Sequence, residues 1–227
     1  MDARRAQPKK PRRPGRPRYL GGEQPDRRLD LVRAAYGVIA REGFESLRTR
    51  DIAQRAGVNI ATLHYYFPTK EALIGGVAFY LSKQFETRAE PPPGAGALQK
   101  LRHEFADMRF YLAERRDVIE VMRELNARAQ RDRAIAAIIR PLKMHWRKSI
   151  EHVIESGVAE GLFRNDPPAR QAAAVVVAML WGAATLPLDT AERECLFTAI
   201  ESWLGSRGER NGKVSPRRRT LRTEKSS

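Results

Sequence analysis

The sequence predicts an all-α fold, and three observations carry that prediction. Apolar residues return at intervals of three and four, Leu29, Val32, Tyr36 and Ile39 being the first such run. Residues that begin and end helices stand at fitting intervals: Asn59, Thr69 and Asp189 as starts, Gly43, Gly57 and Pro91-Pro92-Pro93-Gly94 as stops. Leu, Ala, Arg and Glu dominate, and the strict alternation of a half-buried strand is scarce.

Residues 1–25 hold eight Lys or Arg against two acids, with prolines spread among them. Such a stretch cannot bury a core and reads as a disordered, extended basic arm. Pro14-Gly15-Arg16-Pro17-Arg18 within it resembles an AT-hook, but Pro14 stands where the core arginine belongs. Non-specific attraction to phosphate is the role its composition favours.

The first helix opens near Asp26, after Pro25, and ends at Gly43, with Phe44 turning into the core. Two short helices follow, about 48–56 and 59–66. Ile52, Ala53 and Ala56 share one face of the first, and Gly57 supplies a turn that needs positive φ. Asn59 caps the second, and Leu63 packs it back on its neighbour. A small residue four positions before the turn glycine and a packing residue six after it give the spacing of a helix-turn-helix.

The polar residues left over carry the chemistry. Thr62, His64 and Tyr65 point away from the apolar skeleton. Their helix is about two turns long, so unpaired N–H groups at its start suit a phosphate. Thr69 caps the next helix, and Lys70 lies in its first turn, where a lysine opposes the helix dipole and calls for an anionic partner.

The run GVNIATLHYYFPTKEAL, from Gly57 to Leu73, resembles the DNA-binding signature of TetR-family regulators. A Gly-Val turn, a Thr-Leu-aromatic run, an aromatic-Phe pair and a Lys-Glu-Ala-Leu helix start agree in spacing, and the likeness extends from about Asp26 to Leu81. The resemblance implies that Asn59, Ile60, Ala61 and Thr62 face bases or the adjacent backbone, while His64, Tyr65, Tyr66 and Lys70 hold phosphates. Thr49 matches a phosphate-binding threonine and Arg50, in some members, a base-reading arginine; Arg48 completes the set. His64 stands where the family usually has Tyr, Tyr66 where it often has His, and Arg48 where a capping Ser or Thr is common.

A fourth helix should run from Thr69 to about Arg88, with Gly75-Gly76 either a soft point or a close approach to the first helix. Leu98, Leu101, Phe105, Met108 and Leu112 form the next stripe, then Val118, Ile119, Met122 and Leu125. A long helical segment spans Ala134 to Glu160, where Pro141 is expected to kink or break it. Asn165-Asp166-Pro167 reads as a helix start with proline at the first position. The helix it opens, about 167–186, is apolar on nearly every side and so must be buried all round, which a monomer of this size hardly allows. Asp189 and Glu192 offer a capping box for a last helix, about 190–205.

These elements divide the chain into the arm, a helix-turn-helix domain at 26–68, a helical regulatory and dimerisation domain at 69–206, and a disordered basic tail at 207–227. The resemblance implies that the two terminal helices pair with their copies in a homodimer and that the larger domain encloses a small-molecule effector. Met108, Tyr111, Met122, Asn126, Trp146, Met179 and Trp181 are the candidate lining, although each taken singly is better read as ordinary core. Arg109 or Asn126 would orient a polar ligand.

The formal charge is +15, and residues 207–227 repeat the arm's eight bases and two acids, so the body between is nearly balanced. Two basic ends on a balanced body suggest a polyanion. The leading expectation is a dimeric, ligand-responsive repressor on a palindromic operator in double-stranded DNA. The alternative is an architectural or non-specific DNA binder driven by its tails. Cys195 is the sole cysteine, so no internal disulfide or Cys-rich zinc site is available. The four histidines show no metal spacing, and no nucleophile–base pair or phosphate loop is present; neither a cofactor nor an enzyme is expected. The N-terminus lacks an apolar signal core, and the longest apolar run, Ala172 to Ala184, falls short of the ~20 residues a bilayer needs. A soluble, cytoplasmic protein without membrane contact is expected.

Overall fold

The computed structural model describes residues 26–86 and 91–205. The basic arm, its AT-hook-like segment and the basic tail lie outside them. The described residues form an all-α protein. Helices α1 (Arg27–Glu42), α2 (Thr49–Arg55) and α3 (Ile60–Tyr66) make the head, with a 3-10 turn at Phe44–Ser46 after α1. Helix α4 (Lys70–Glu86) leads to α5 (Ala97–Glu114), α6 (Arg116–Ala129), α7 (Arg133–Ala159), α8 (Ala169–Thr185) and α9 (Thr190–Leu204).

Local chemistry sets most of these boundaries. Asp26 accepts from the backbone N–H groups of Arg28 and Leu29, both at 3.1 Å, and opens α1. Thr69 accepts from the N–H of Ala72 at 3.1 Å and opens α4. Asp189 and Glu192 form the expected capping box of α9. Gly57 sits at φ +65° with nothing near its missing side chain, so backbone conformation rather than space demands glycine there.

Helix α1 is buried more widely than its single predicted stripe. Leu31, Ala35 and Val38 join Val32, Tyr36 and Ile39 in the core, while Leu29 stays half-buried, because α1 packs against α2, α4 and α6 together. Its contacts to α6 tie the head to the larger domain. The Tyr36 hydroxyl donates to Asp117 at 2.6 Å, and Arg115 grips the same carboxylate at 3.0 and 3.1 Å. Burial pushes the Tyr36 phenol far above its ordinary range, reinforced by the bond to Asp117. Burial also opposes ionisation of Asp117, but the bonds from Arg115 and Tyr36 outweigh it and hold the carboxyl below its usual range.

The structure departs from the expectations for α7 and α8. Helix α7 runs unbroken through Pro141, so the break, one of the two expected effects, does not occur. Proline there removes the donor for the Ala137 carbonyl, but Ala137 and Pro141 both lie on the exposed side, where the freed carbonyl is open to solvent. The helix after Asn165 begins at Ala169 rather than at Pro167, with Pro168 as the N-cap. Pro168 sterically bars the residue before it from helical backbone, so Pro167 cannot serve as the first turn. The all-round burial expected for α8 also holds on one side only within the protomer: Ala172, Ala173, Val176, Leu180, Ala183 and Ala184 are buried, but Ala174, Val175 and Ala178 face out.

Gly75 and Gly76 play different parts. A side chain on Gly76 would stand 2.9 Å from Val32 Cγ2 and 3.1 Å from the Phe67 ring, whereas nothing lies within 4 Å of the corresponding point on Gly75. Gly76→Ala is therefore expected to destabilise the fold by about 1–3 kcal/mol. Gly75→Ala is expected to stabilise it by about 1 kcal/mol through helix propensity alone. Urea unfolding of the two variants checks the contrast.

Candidate nucleic-acid interface

The head turns one polar surface outward, and α3 is its centre. Leu63 is 1 % exposed and anchors the helix on α2, while Phe67 closes its C-terminus and is equally buried. The outer side of α3 is open: Ile60 is 40 % and Tyr65 80 % exposed, and Ala61 and His64 are exposed as well.

Asn59 and Thr62 form a locked pair at the start of α3. The Asn59 Oδ1 accepts from the Thr62 backbone N–H at 2.8 Å and from the Thr62 hydroxyl at 3.0 Å. The cap therefore fixes the two side chains in one geometry. It leaves the Asn59 amide N–H groups as outward donors and the Thr62 oxygen lone pairs as an acceptor.

The predicted phosphate-holding residues gather beside it. The Tyr65 and Tyr66 rings meet edge to face with centroids 5.1 Å apart. Lys70 comes together with Arg48, Thr49, Arg50 and Asp51 around one open depression at the start of α2. No side chain caps α2, consistent with arginine at position 48, so the first amides of the helix stay available to an anion. Lys70 does not hang free: its Nζ lies 4.9 Å from the centre of the Phe44 ring. The same ring carries the Arg128 guanidinium of α6 at 5.4 Å, and the Phe44 N–H donates to Glu124 at 2.9 Å. Phe44, whose role in siting Lys70 the sequence did not reveal, thus stands between a surface lysine of the head and the regulatory domain. Arg28, 5.2 Å over the Phe67 ring, is a further exposed cation beside the end of α3.

The candidate effector residues are spread across four helices. Met108 and Tyr111 of α5 and Met122 of α6 are buried in the common core. The Tyr111 hydroxyl donates to the Gln84 carbonyl at 3.3 Å, and the Asn126 amide donates to the Met122 carbonyl of its own helix at 2.9 Å. Met179 and Trp181 are both half-buried, but two residues apart on α8 they lie on different sides of it. Arg109 faces α9: it holds Glu194 through two 2.6 Å bonds and covers the Phe197 ring at 4.9 Å, so it does not turn inward towards a ligand.

Trp146 donates to Glu104 at 3.4 Å. Burial raises the Glu104 carboxyl above its ordinary value, aided by Asp107 and opposed by the Trp146 bond and by His103. The folded state therefore disfavours the charged form, and stability falls as pH rises through that raised value. Glu104→Gln is expected to raise the melting temperature at pH 7, with the gain vanishing below the ordinary carboxyl value of 4.5. Melting curves across pH measure it.

Among the described residues no helix is long and apolar enough to cross a membrane, and no cluster of His, Cys, Asp or Glu is placed to hold a metal ion.

A capped, exposed helix packed on a support helix of equal length, with cations at its flanks, defines the class of helix-turn-helix DNA-binding proteins. Comparison with known proteins makes the class narrower. Residues 31–77 match the family model described as bacterial regulatory proteins, tetR family. The chain is 29% identical over 79 residues to the transcriptional repressor KstR of Rhodococcus jostii, an alignment covering 35% of this chain and 37% of that protein, so it spans little more than a third of the relative's length. It is 28% identical over 148 residues to the repressor NicS of Pseudomonas putida, covering 63% of this chain and 69% of the other. The fold is that of a TetR-family regulator from a Rhodococcus species, with a TM-score of 0.68 at 23% identity over 79% of this chain and 98% of that one. Residues 31–77 thus carry the DNA-binding domain of the tetR family of bacterial regulatory proteins, and the relatives that share it are named as transcriptional repressors.

Proposed function

We propose that the protein is a dimeric, ligand-responsive transcriptional repressor that places α3 of each protomer in the major groove of a palindromic operator. The observation that carries this reading is the Asn59–Thr62 pair, pre-set at the exposed start of α3, with Lys70 and the open start of α2 alongside. Thr62, Arg50 and Asn59 read bases; Thr49, Tyr65, Tyr66 and Lys70 hold phosphates. DNA of this kind places the protein in the cytoplasm.

The dimer face in this reading is the outer side of α8 and α9. Ala174, Val175 and Ala178 on α8 and Ala191, Cys195, Ala199 and Ser202 on α9 are all exposed and nearly all small, which lets helices of two copies approach closely. An isologous pairing of these faces relates the two heads by a two-fold axis, and the operator then carries matching half-sites about one helical turn or more apart. The effector site lies among α5 to α8, bordered by Met108, Met122, Trp146 and Met179. Ligand there favours a dimer whose heads no longer match the half-site spacing and so weakens binding by linkage.

The competing reading, a non-specific binder driven by basic ends, is separated by deleting residues 1–22 and 208–227. The proposed repressor keeps its sequence preference and loses general affinity only; a tail-driven binder loses nearly all binding. Lys70→Ala is expected to weaken all sequences alike and to reduce the salt slope of log K by about one, read from titrations at several salt concentrations. An unchanged slope would remove Lys70 from the phosphate contacts.

A further inference from the structure

A second cationic feature of the head lies away from the reading surface. Arg33 and Arg41 of α1 and Arg55 of α2, with Asp30, Ala34 and Ala56, line an open depression of about 620 Å³. It sits at the C-terminal end of α2, whereas Thr49 and Arg50 stand at the N-terminal end, about 9 Å away along a seven-residue helix.

Its cations are arranged rather than scattered. Arg33, Gly37 and Arg41 follow at spacings of four and so share one face of α1. The Arg41 guanidinium lies over Gly37, where an added Cβ would be only 2.9 Å from its terminal nitrogen. Glycine inside a helix costs about 1 kcal/mol relative to alanine, and here the absent side chain is the seat on which the guanidinium rests. Across the depression Arg55 is held by Glu42 through bonds of 2.6 and 3.1 Å, which fixes its plane and leaves donors to spare. No ion pair engages Arg33 or Arg41 among the described residues. The one carboxylate on the rim, Asp30, is 3.9 Å from Arg27. Two guanidinium groups without an ion pair, and a third already held by Glu42, line a space with Asp30 on its rim, a surplus of donors suited to an anion with several oxygens.

We propose that this depression binds a phosphoryl group. The group comes either from a DNA backbone that passes the side of the head or from a free phosphorylated molecule, and the two sources separate experimentally. The proposal stands apart from the major-groove reading, which uses none of these residues.

The test uses the full chain, the double variant Arg33→Gln/Arg41→Gln, and Gly37→Ala. Inorganic phosphate is titrated at constant ionic strength against chloride, following the melting temperature and binding heat. Duplex binding is measured in parallel over a range of salt. If the source is a free phosphoryl ligand, phosphate raises the melting temperature of the natural protein above the chloride control, and both variants weaken that binding at least about tenfold. If the source is DNA, the double variant lowers the salt slope on a long duplex by about two, and on a duplex trimmed to the selected site by less. Gly37→Ala displaces the Arg41 head while favouring the helix. It should weaken the anion response in a protein that melts higher, an outcome that general damage to the fold cannot produce. The proposal is overturned if phosphate gives no response and the slope is unchanged, or if the response survives in the double variant.

Discussion

Phe44→Ala should cost about 3–5 kcal/mol of stability and, at temperatures where the variant stays folded, weaken DNA binding irrespective of sequence. The first effect follows from burial: Phe44 is 4 % exposed, and its removal leaves a cavity where the head meets α6. The second follows from the ring's two cations. Lys70 at 4.9 Å loses the face that holds it beside the start of α2, and Arg128 at 5.4 Å loses its own support. Phe44→Leu separates these effects. It keeps most of the apolar volume, so stability should fall by under about 1.5 kcal/mol, while the π face is gone. A DNA affinity that falls in the leucine variant, with a melting temperature close to natural, would place the ring in the positioning of Lys70. An affinity that follows stability alone would reduce Phe44 to packing.

Substituting Val175→Arg together with Ala178→Arg should give a folded monomer whose operator affinity is at least about 100-fold lower. Both residues are exposed in the protomer, so arginine there does not disturb the core. Placed against their own copies across a two-fold axis, four new like charges would meet in a face of small residues. A monomer binds one half-site and forfeits the effective concentration that makes the second contact intramolecular, a loss of roughly 10²–10⁴. Sedimentation equilibrium with and without the substitutions reads the assembly, and titration of a two-half-site duplex reads the consequence. A variant that remains dimeric would move the interface elsewhere on the chain.

The residues around the turn made the head legible before any coordinates. Asn59, Gly57 and Leu63 act locally: a cap, a left-handed turn and a contact between adjacent helices are all fixed within a dozen positions. The Thr69 cap of α4 and the capping box of α9 were legible for the same reason. Features that depend on distant partners were not. The Tyr36–Asp117 bond spans 81 positions and the Phe44–Glu124 bond 80, and no periodicity announces either. Pro141 misled because its effect depends on which side of α7 meets water, and Pro167 misled because its neighbour Pro168 overrides it. In the regulatory domain, Met and Trp mark core and pocket lining equally well. Stripes of such residues identified the helices there and left the effector site to the three-dimensional arrangement.

The most direct test of the central proposal is selection of bound sequences from a random duplex library by the purified full-length protein at near-physiological salt. A specific dimeric reader enriches a palindrome, and Thr62→Ala or Arg50→Ala relaxes the preference at positions within each half-site while leaving the spacing intact. Tight, strongly salt-dependent binding with no enriched sequence would contradict the assignment of α3 as a reading helix and leave the basic ends as the source of DNA affinity.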